Sequence, residues 1–276
     1  MHISVNRSLQ KLGTDYIDIL YLHWWDFTTS VEEVMHGLNV LINTGKVLYL
    51  GVSDTPAWVV VKANDYARAN GLRQFSIYQG KWNAGFRDME REIVPMCRDQ
   101  GMAVAPWAPL GQGRFKTAET RQEGHSESQR AANMSEAEIR ISEALESIAK
   151  RKDVSLHGVV SFLLIIGSSE TSEATDALEP LKALAYLLNK APYVFPIVGQ
   201  RKIEHLNDNI KALSIDLSKE DMDEIDNAVP FDPGFPLNFI FRSKYDLTLG
   251  ASDVLLTKLS AYIDSPGHQQ PIAPRK

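Results

Sequence analysis

Runs of apolar residues alternate along the chain with longer segments whose apolar residues recur at helical spacing. The short apolar runs predict buried strands at residues 17–24, 47–54, 75–80, 102–107 and 193–199. Helical spacing predicts a helix through Val5, Leu9 and Leu12, and further helices at residues 31–45, 56–70, 89–99 and 203–213. Strands that alternate with helices of this length predict parallel βαβ units.

The predicted strands end in polar, aromatic or glycine-bearing sequence, which in chain order is His23, Ser53-Asp54, Gln79, Trp107 and Gly199-Gln200-Arg201. In a (β/α) barrel such ends form one face, where catalytic and binding groups collect. An open dinucleotide-binding sheet is the competing architecture. However, Gly111-Gln112-Gly113 lacks the third glycine of the G-x-G-x-x-G signature of such sheets. The pattern therefore favours the barrel.

Composition narrows the class of protein. The formal net charge of −6 argues against a nucleic-acid partner. The single cysteine, Cys97, cannot form an internal disulfide, so the fold needs no oxidising compartment. The first residues contain no apolar signal segment, and the longest apolar run, residues 159–166, is too short to span a bilayer. We therefore expect a cytoplasmic protein that binds neither nucleic acid nor membranes.

Three motifs carry a family resemblance. The segment LGTDYIDILYLHW at residues 12–24 resembles the sequence before and along the fourth strand of aldo-keto reductases. GKVLYLGVSD at residues 45–54 is similar to their fifth strand, and GQRKIEHLNDN at residues 199–209 is similar to their motif after the eighth strand. WWD at residues 24–26 and VSDTPAWVV at residues 52–60 resemble the fungal branch that includes aryl-alcohol dehydrogenases and norsolorinic acid reductases.

This resemblance implies an α/β fold of the (β/α)8 TIM barrel type that binds NADP(H) across the carboxyl ends of its strands. It also implies hydride transfer between the nicotinamide and a small-molecule carbonyl or alcohol, with a tyrosine as general acid. Lysine, histidine and aspartate assist that tyrosine in the family. The logic is physical, because a phenol with a pKa of about 10 is a poor acid unless a nearby ammonium stabilises the phenolate.

The resemblance also assigns site residues. His23 matches the catalytic-site histidine, which offers a donor where negative charge develops on the carbonyl. The expected cofactor-binding residues are Ser53, Asp54 and Gln79 at the nicotinamide carboxamide, Trp107 against the nicotinamide ring, Arg201 and Lys202 at the 2′-phosphate, and Asn209 near the adenine. No metal ligand is expected. Asp54 stands where the family commonly has Asn.

Some of these residues have a plain structural alternative. Ser53 and Asp54 precede Thr55-Pro56, so we expect them to cap the next helix as well as to bind the cofactor. Trp107 could instead pack at the top of a barrel. Arg201 and Lys202 could form a solvated first helical turn, although a bound phosphate would account better for cations at a helix N-terminus.

The resemblance starts partway through the family pattern. The family's catalytic Asp and Tyr follow its second strand, and its Lys ends the third, whereas residue 1 aligns with the helix before the fourth. Tyr16, Tyr21, Tyr49 and Tyr78 match other family positions. We therefore expect an N-terminally truncated chain, an incomplete barrel from strand 4 to strand 8, and poor solubility or dependence on a partner chain.

Residues 158–182 depart from the family pattern. Without them, residues 154–157 join residues 183–187 as one continuous helix, so our hypothesis is that the segment is a retained intron. The alternative is a genuine insertion in which VVSFLLIIG forms a strand that covers an open sheet edge. Residues 1–276 are otherwise expected to form one domain with a tail at residues 241–276.

The sequence thus predicts an NADP-dependent oxidoreductase that interconverts an aryl or polyketide aldehyde or ketone and its alcohol. The activity of the chain itself is in doubt, because the expected proton donor is absent from it. The alternative is a non-catalytic NADPH-binding or interaction protein that lacks the Tyr, Lys and Asp groups. A third alternative is an unstable remnant of such an enzyme that neither binds NADPH nor turns over a substrate.

Overall fold

The computed structural model describes residues 1–115, 118, 134–151, 178–199, 203–241, 254, 259 and 271. Its strands are β1 (Ile17–Leu22), β2 (Val47–Ser53), β3 (Phe75–Lys81) and β4 (Ala103–Trp107). Its α-helices are α1 (His2–Leu12), α2 (Val31–Asn43), α3 (Ala57–Ala69), α4 (Ile93–Asp99), α5 (Glu136–Arg151), α6 (Leu178–Lys190), α7 (Ile203–Lys211), α8 (Lys219–Ala228) and α9 (Leu237–Ile240). Short 3-10 turns occur at Asp88–Glu90, Gly111–Gly113 and Ala212–Ser214.

The chain divides into two compact units. The first unit comprises Met1–Gly80 and Met89–Ala105, and the second comprises Lys81–Asp88 and the described residues from Pro106 to Phe241. Among the helices that the structure describes, none is long and apolar enough to cross a membrane. Most of the segment 158–182, and most of the tail at 241–276, lie outside the described residues, so the insertion hypothesis stays a prediction.

The four strands form one sheet in the order β1-β2-β3-β4. The pairs β1–β2 and β2–β3 are parallel, which confirms the predicted βαβ pattern. The crossover helix α2 begins where the Ser30 hydroxyl accepts a hydrogen bond from the Glu33 N–H at 3.1 Å, a side-chain cap of the usual type. Its apolar stripe, Met35, Leu38 and Leu41, is almost completely buried.

The predicted fifth strand, residues 193–199, is wrong. Only an isolated bridge position occurs there, followed by irregular backbone. Pro196 has no N–H for a ladder, and Tyr193 has a φ of 55°, which is incompatible with an extended strand. The segment is nevertheless anchored, because the Ile197 N–H donates to the Pro106 carbonyl at 2.9 Å.

Gly51 is the point of closest approach across the sheet. A Cβ built there would lie 2.6 Å from Cδ1 and Cε1 of Tyr21 and 3.1 Å from Cγ2 of Ile77. Tyr21 and Ile77 are the register partners of Gly51 on β1 and β3. Two residues further toward the amino ends, the partners Ile19 and Tyr49 are 40% and 54% exposed, so these positions of the sheet are open to solvent.

The core of the second unit is helical. Helix α5 packs against α6 and α8, and the largest side chains that they bury are Ile141, Leu145, Ile148, Tyr186, Leu187 and Ile225. An ionic cluster accompanies this core. Asp226 of α8 pairs with Arg87 at 3.2 Å and Lys190 at 2.6 Å, and it accepts a hydrogen bond from the Tyr186 hydroxyl at 2.6 Å.

Gly51→Ala should destabilise the protein by about 1–3 kcal/mol, because the added methyl group forces Tyr21 out of its position. Urea denaturation measures the change in the free energy of unfolding. Gly37→Ala on helix α2 is the matched control. A Cβ at Gly37 would meet only side-chain atoms of Met1, at 3.9 Å. The control should be neutral or slightly stabilising. An equal loss in both variants would contradict the close-approach argument.

Asp226→Asn should lower the free energy of unfolding by about 3 kcal/mol, because the cations of Arg87 and Lys190 lose a largely buried counter-charge. The side chains of these three residues are 15%, 9% and 12% exposed. Glu136→Gln is the control, because its pair with Arg140 is exposed on α5. That change should cost less than about 0.5 kcal/mol in the same urea denaturation experiment.

The same cluster predicts a pH dependence. Burial acts to raise the pKa of Asp226, but the charges of Lys190 and Arg87, with hydrogen bonds from Lys190 and Tyr186, outweigh it and lower that pKa. The ionised carboxylate therefore stabilises the fold above the unfolded pKa of about 3.9, and this contribution is lost as the pH falls through the folded pKa. The stability difference between the native protein and Asp226→Asn should shrink when acid denaturation is followed below about pH 4. A constant difference would exclude this linkage.

Candidate functional site

The carboxyl ends of β2 and β3 bring three of the predicted site residues together. Ser53 and Gln79 are register partners, and the Asp54 N–H donates to the Gln79 carbonyl at 3.4 Å. His23 directly follows Leu22, whose register partner is Val52, so His23 leaves β1 at the level where β2 ends. The first unit thus places His23, Ser53, Asp54 and Gln79 along one edge of the sheet.

His23 lies past the end of its strand and is exposed. Its ring lies 4.9 Å from the Trp24 ring, centroid to centroid, at an interplanar angle of 30°. The following loop is fixed by Asp26, whose Oδ1 accepts from the N–H groups of Thr28 at 2.9 Å and Thr29 at 3.2 Å. The hydrogen bonds from Thr28 and Thr29 lower the pKa of Asp26. Because His23 is exposed, its imidazole is accessible to a ligand.

Ser53 and Asp54 do not cap the next helix, so that expectation is wrong. Helix α3 has Pro56 at its N-cap position and no side-chain cap. The local hydrogen bond is instead made by Thr55, whose hydroxyl donates to the Ser53 carbonyl at 2.8 Å. Asp54 has a φ of 42°, in the left-handed region that short Asn and Asp side chains tolerate best among non-glycine residues. This backbone accounts for a residue of that size and leaves its carboxylate exposed.

Tyr21 is a site residue that the sequence reasoning did not identify. A hydrogen bond links its hydroxyl to the Gln79 side chain across Gly51. Partial burial raises the pKa of Tyr21, and the hydrogen bond opposes this shift. The strand alternation offered a signal, because Tyr21 lies two residues before His23 and therefore on the same face of β1.

Tyr78 is unsuited to proton donation. Its hydroxyl donates to the Thr55 carbonyl at 2.8 Å and accepts from the Thr55 N–H at 3.0 Å, and its side chain is buried. Burial, with a smaller contribution from the charge of Asp54, raises the pKa of Tyr78 to about 12. Tyr78 is thus a structural clamp between β3 and the turn that follows β2.

Trp107 and Asn209 belong to the second unit. Trp107 ends β4, is half-buried, and accepts a hydrogen bond at its carbonyl from the Trp82 N–H at 3.4 Å. Asn209 lies on α7 and is 7% exposed. Within the described parts of the chain, its side-chain Nδ2 is buried without a hydrogen-bond partner. Arg201 and Lys202 lie outside the described residues.

The unpaired amide of Asn209 bears on cofactor binding. A buried donor without a partner costs free energy, so such a group is usually explained by a ligand or water that the bare chain lacks. The purine ring nitrogens of a dinucleotide are acceptors that such a donor fits. The unpaired Nδ2 of Asn209 is therefore a donor that a ligand acceptor could satisfy.

The remaining tryptophans and Cys97 have other roles. Trp25 and Trp82 are buried in the core, whereas Trp24 and Trp58 are exposed. Cys97 is buried on α4, and burial raises the pKa of its thiol to about 12. A thiol of this kind is unreactive. The described residues hold no group of His, Cys, Asp and Glu that could bind a metal ion.

Comparison with known proteins gives close relatives. The model of the aldo/keto reductase family matches residues 1–230. Norsolorinic acid reductase A of Aspergillus parasiticus is 48% identical over 277 residues, covering 99% of this chain and 65% of the relative. A probable aryl-alcohol dehydrogenase of Saccharomyces cerevisiae is 47% identical over 269 residues, covering 95% of this chain and 74% of the relative. The chain therefore spans 65% of the length of the norsolorinic acid reductase.

A solved structure supports the fold. The crystal structure of the thermostable aldo-keto reductase Tm1743 with the inhibitor epalrestat matches with a TM-score of 0.58 and 24% identity, covering 82% of this chain and 65% of that one. At this identity the likeness concerns the fold alone. The sequence matches identify the family. Because the family model aligns from residue 1 to residue 230, this chain belongs to the aldo/keto reductase family.

Proposed function

We propose that this chain forms the carbonyl- and cofactor-binding edge of an NADP-dependent reductase that interconverts aryl or polyketide aldehydes or ketones and their alcohols. The observation that carries the proposal is the grouping of His23, Ser53, Asp54 and Gln79 at the carboxyl ends of β1, β2 and β3 in a member of this family. The substrate class follows the relatives, whose names are norsolorinic acid reductase and aryl-alcohol dehydrogenase.

The residues at the β2–β3 edge have complementary hydrogen-bonding capacity for a carboxamide. A carboxamide has two N–H donors and one carbonyl acceptor, as in Asn and Gln. The Ser53 hydroxyl can donate to the carbonyl, while the Asp54 carboxylate and the Gln79 side-chain oxygen can each accept from one N–H. The Tyr21 hydroxyl then holds the Gln79 side chain in place.

His23 and Trp107 have separate proposed roles, His23 in the first unit and Trp107 in the second. Bound NADPH supplies the hydride. His23 donates a hydrogen bond to the substrate carbonyl and stabilises the negative charge that develops on its oxygen. Trp107 offers a flat aromatic face against the nicotinamide, and Asn209 offers its unpaired amide to the adenine. Arg201 and Lys202 are proposed to bind the 2′-phosphate, since a guanidinium fork fits such a dianion.

The source of the proton remains a separate prediction. Tyr78 is held in two hydrogen bonds with Thr55, and Tyr21 is occupied by Gln79, so neither is assigned as the acid. A cytoplasmic location likewise stays a prediction.

His23→Ala should lower kcat for benzaldehyde-dependent NADPH oxidation roughly 100-fold, because one donor to the developing oxyanion is removed. Loss of NADPH absorbance measures the rate. His36→Ala is the matched control, since His36 lies on α2 and contacts the Tyr66 hydroxyl at 3.0 Å. That control should keep the native rate. Quenching of NADPH fluorescence without any turnover, in the native chain, would contradict the reductase and support the non-catalytic binding alternative.

A further inference from the structure

Lys81 is the last residue of β3 and has no assigned role in the proposed site. It follows Gln79 by two positions, so strand alternation puts both side chains on the same face of β3. Its ammonium nitrogen lies 4.2 Å from the centroid of the Phe86 ring and 6.0 Å from the centroid of the Trp107 ring. Lys81, Phe86 and Trp107 are all half-buried and all belong to the second unit.

Backbone hydrogen bonds hold these two rings in place. Asn83 and Phe86 exchange two bonds, at 3.1 and 3.0 Å, which close the turn that presents Phe86. The Asn83 side chain accepts from the Gly85 N–H at 2.9 Å and donates to the Ala108 carbonyl at 3.0 Å. The turn after β3 is therefore tied to the residue that follows Trp107. The ammonium group and both aromatic faces form one constrained cluster, which we call the Lys81 cluster.

The charge of the Lys81 cluster is not balanced within the described part of the chain. The ion pairs formed there do not include Lys81, and its ammonium group contacts the two aromatic rings. A cation over an aromatic face is held in a defined position, but the ring carries no net charge. A half-buried ammonium in this state is poised to pair with an anionic ligand.

We infer that Lys81 is a specificity-determining residue that selects aromatic carbonyl substrates bearing an anionic group, such as a carboxylate or an ionised phenol. This inference rests on the proposed function, because it takes Trp107 to lie beside the reacting ring. Phe86 and Trp107 supply flat apolar surfaces for the substrate ring, and Lys81 pairs with its charge. A cofactor phosphate is the other anion that this cation can bind, so the experiment distinguishes the two.

The experiment measures binding without turnover, by the quenching of tryptophan fluorescence. Naphthoate is the anionic probe, naphthalenemethanol is the neutral probe, and NADP+ is the cofactor probe. Lys81→Met should reduce the preference for naphthoate over naphthalenemethanol roughly fivefold, the size of a partly exposed ion pair. Lys81→Arg should keep the preference, and added salt should weaken it in the native protein. Lys62→Met is the control, because Lys62 is exposed on α3.

Three results would overturn the inference: equal loss of both aromatic probes in Lys81→Met, no change in either, or a loss confined to NADP+. A kinetic measurement distinguishes failure of the inference about Lys81 from failure of the proposed function. The native chain is assayed with para-carboxybenzaldehyde and para-methylbenzaldehyde. Absence of NADPH oxidation with both aldehydes refutes the reductase, whereas the naphthoate preference and its dependence on Lys81 decide the inference independently.

Discussion

The parallel register of β1, β2 and β3 is the constraint on which the candidate site depends. Parallel pairing brings the carboxyl ends of neighbouring strands to one edge, and the alternation of side chains decides which residues share a face there. A shift of one residue in β3 would replace Gln79 by Gly80 opposite Ser53 and turn the amide away. Gly51 maintains this register, because only a residue without a side chain accommodates Tyr21 against β2. The positions of the candidate site residues are therefore defined by the pairing of β1, β2 and β3.

Much of the first unit could be predicted from the sequence, because its elements are encoded locally. Strands β1 to β4 and helices α1 to α3 follow apolar periodicities that match their observed positions closely. The strand predicted at residues 193–199 was wrong because Tyr193 adopts a positive φ and Pro196 lacks an N–H, while the Ile197 N–H is anchored to the Pro106 carbonyl. The expected cap by Ser53 or Asp54 failed similarly, since the chain adopts a left-handed residue there before α3 begins.

Contacts between distant positions were beyond the reach of sequence patterns. Arg87 and Asp226 are 139 residues apart, and nothing local in either segment indicates that they pair. The aromatic neighbours of Lys81 come from a turn and from the next strand, so the cluster exists only after β3 and β4 are placed. The Tyr21 hydroxyl and Gln79 similarly meet only because β2 carries glycine between them. In each case the residue types were ordinary, and the information lay in their juxtaposition.

The left-handed backbone at Asp54 has a consequence for how such a site can change during evolution. At a φ of 42°, bulky and β-branched side chains are strained, so the tolerated residues are mainly Gly, Asn and Asp. Asn and Asp have nearly the same shape and differ in charge. A lineage can therefore exchange a neutral amide for a carboxylate at this position while the strand end, the turn and helix α3 stay where they are.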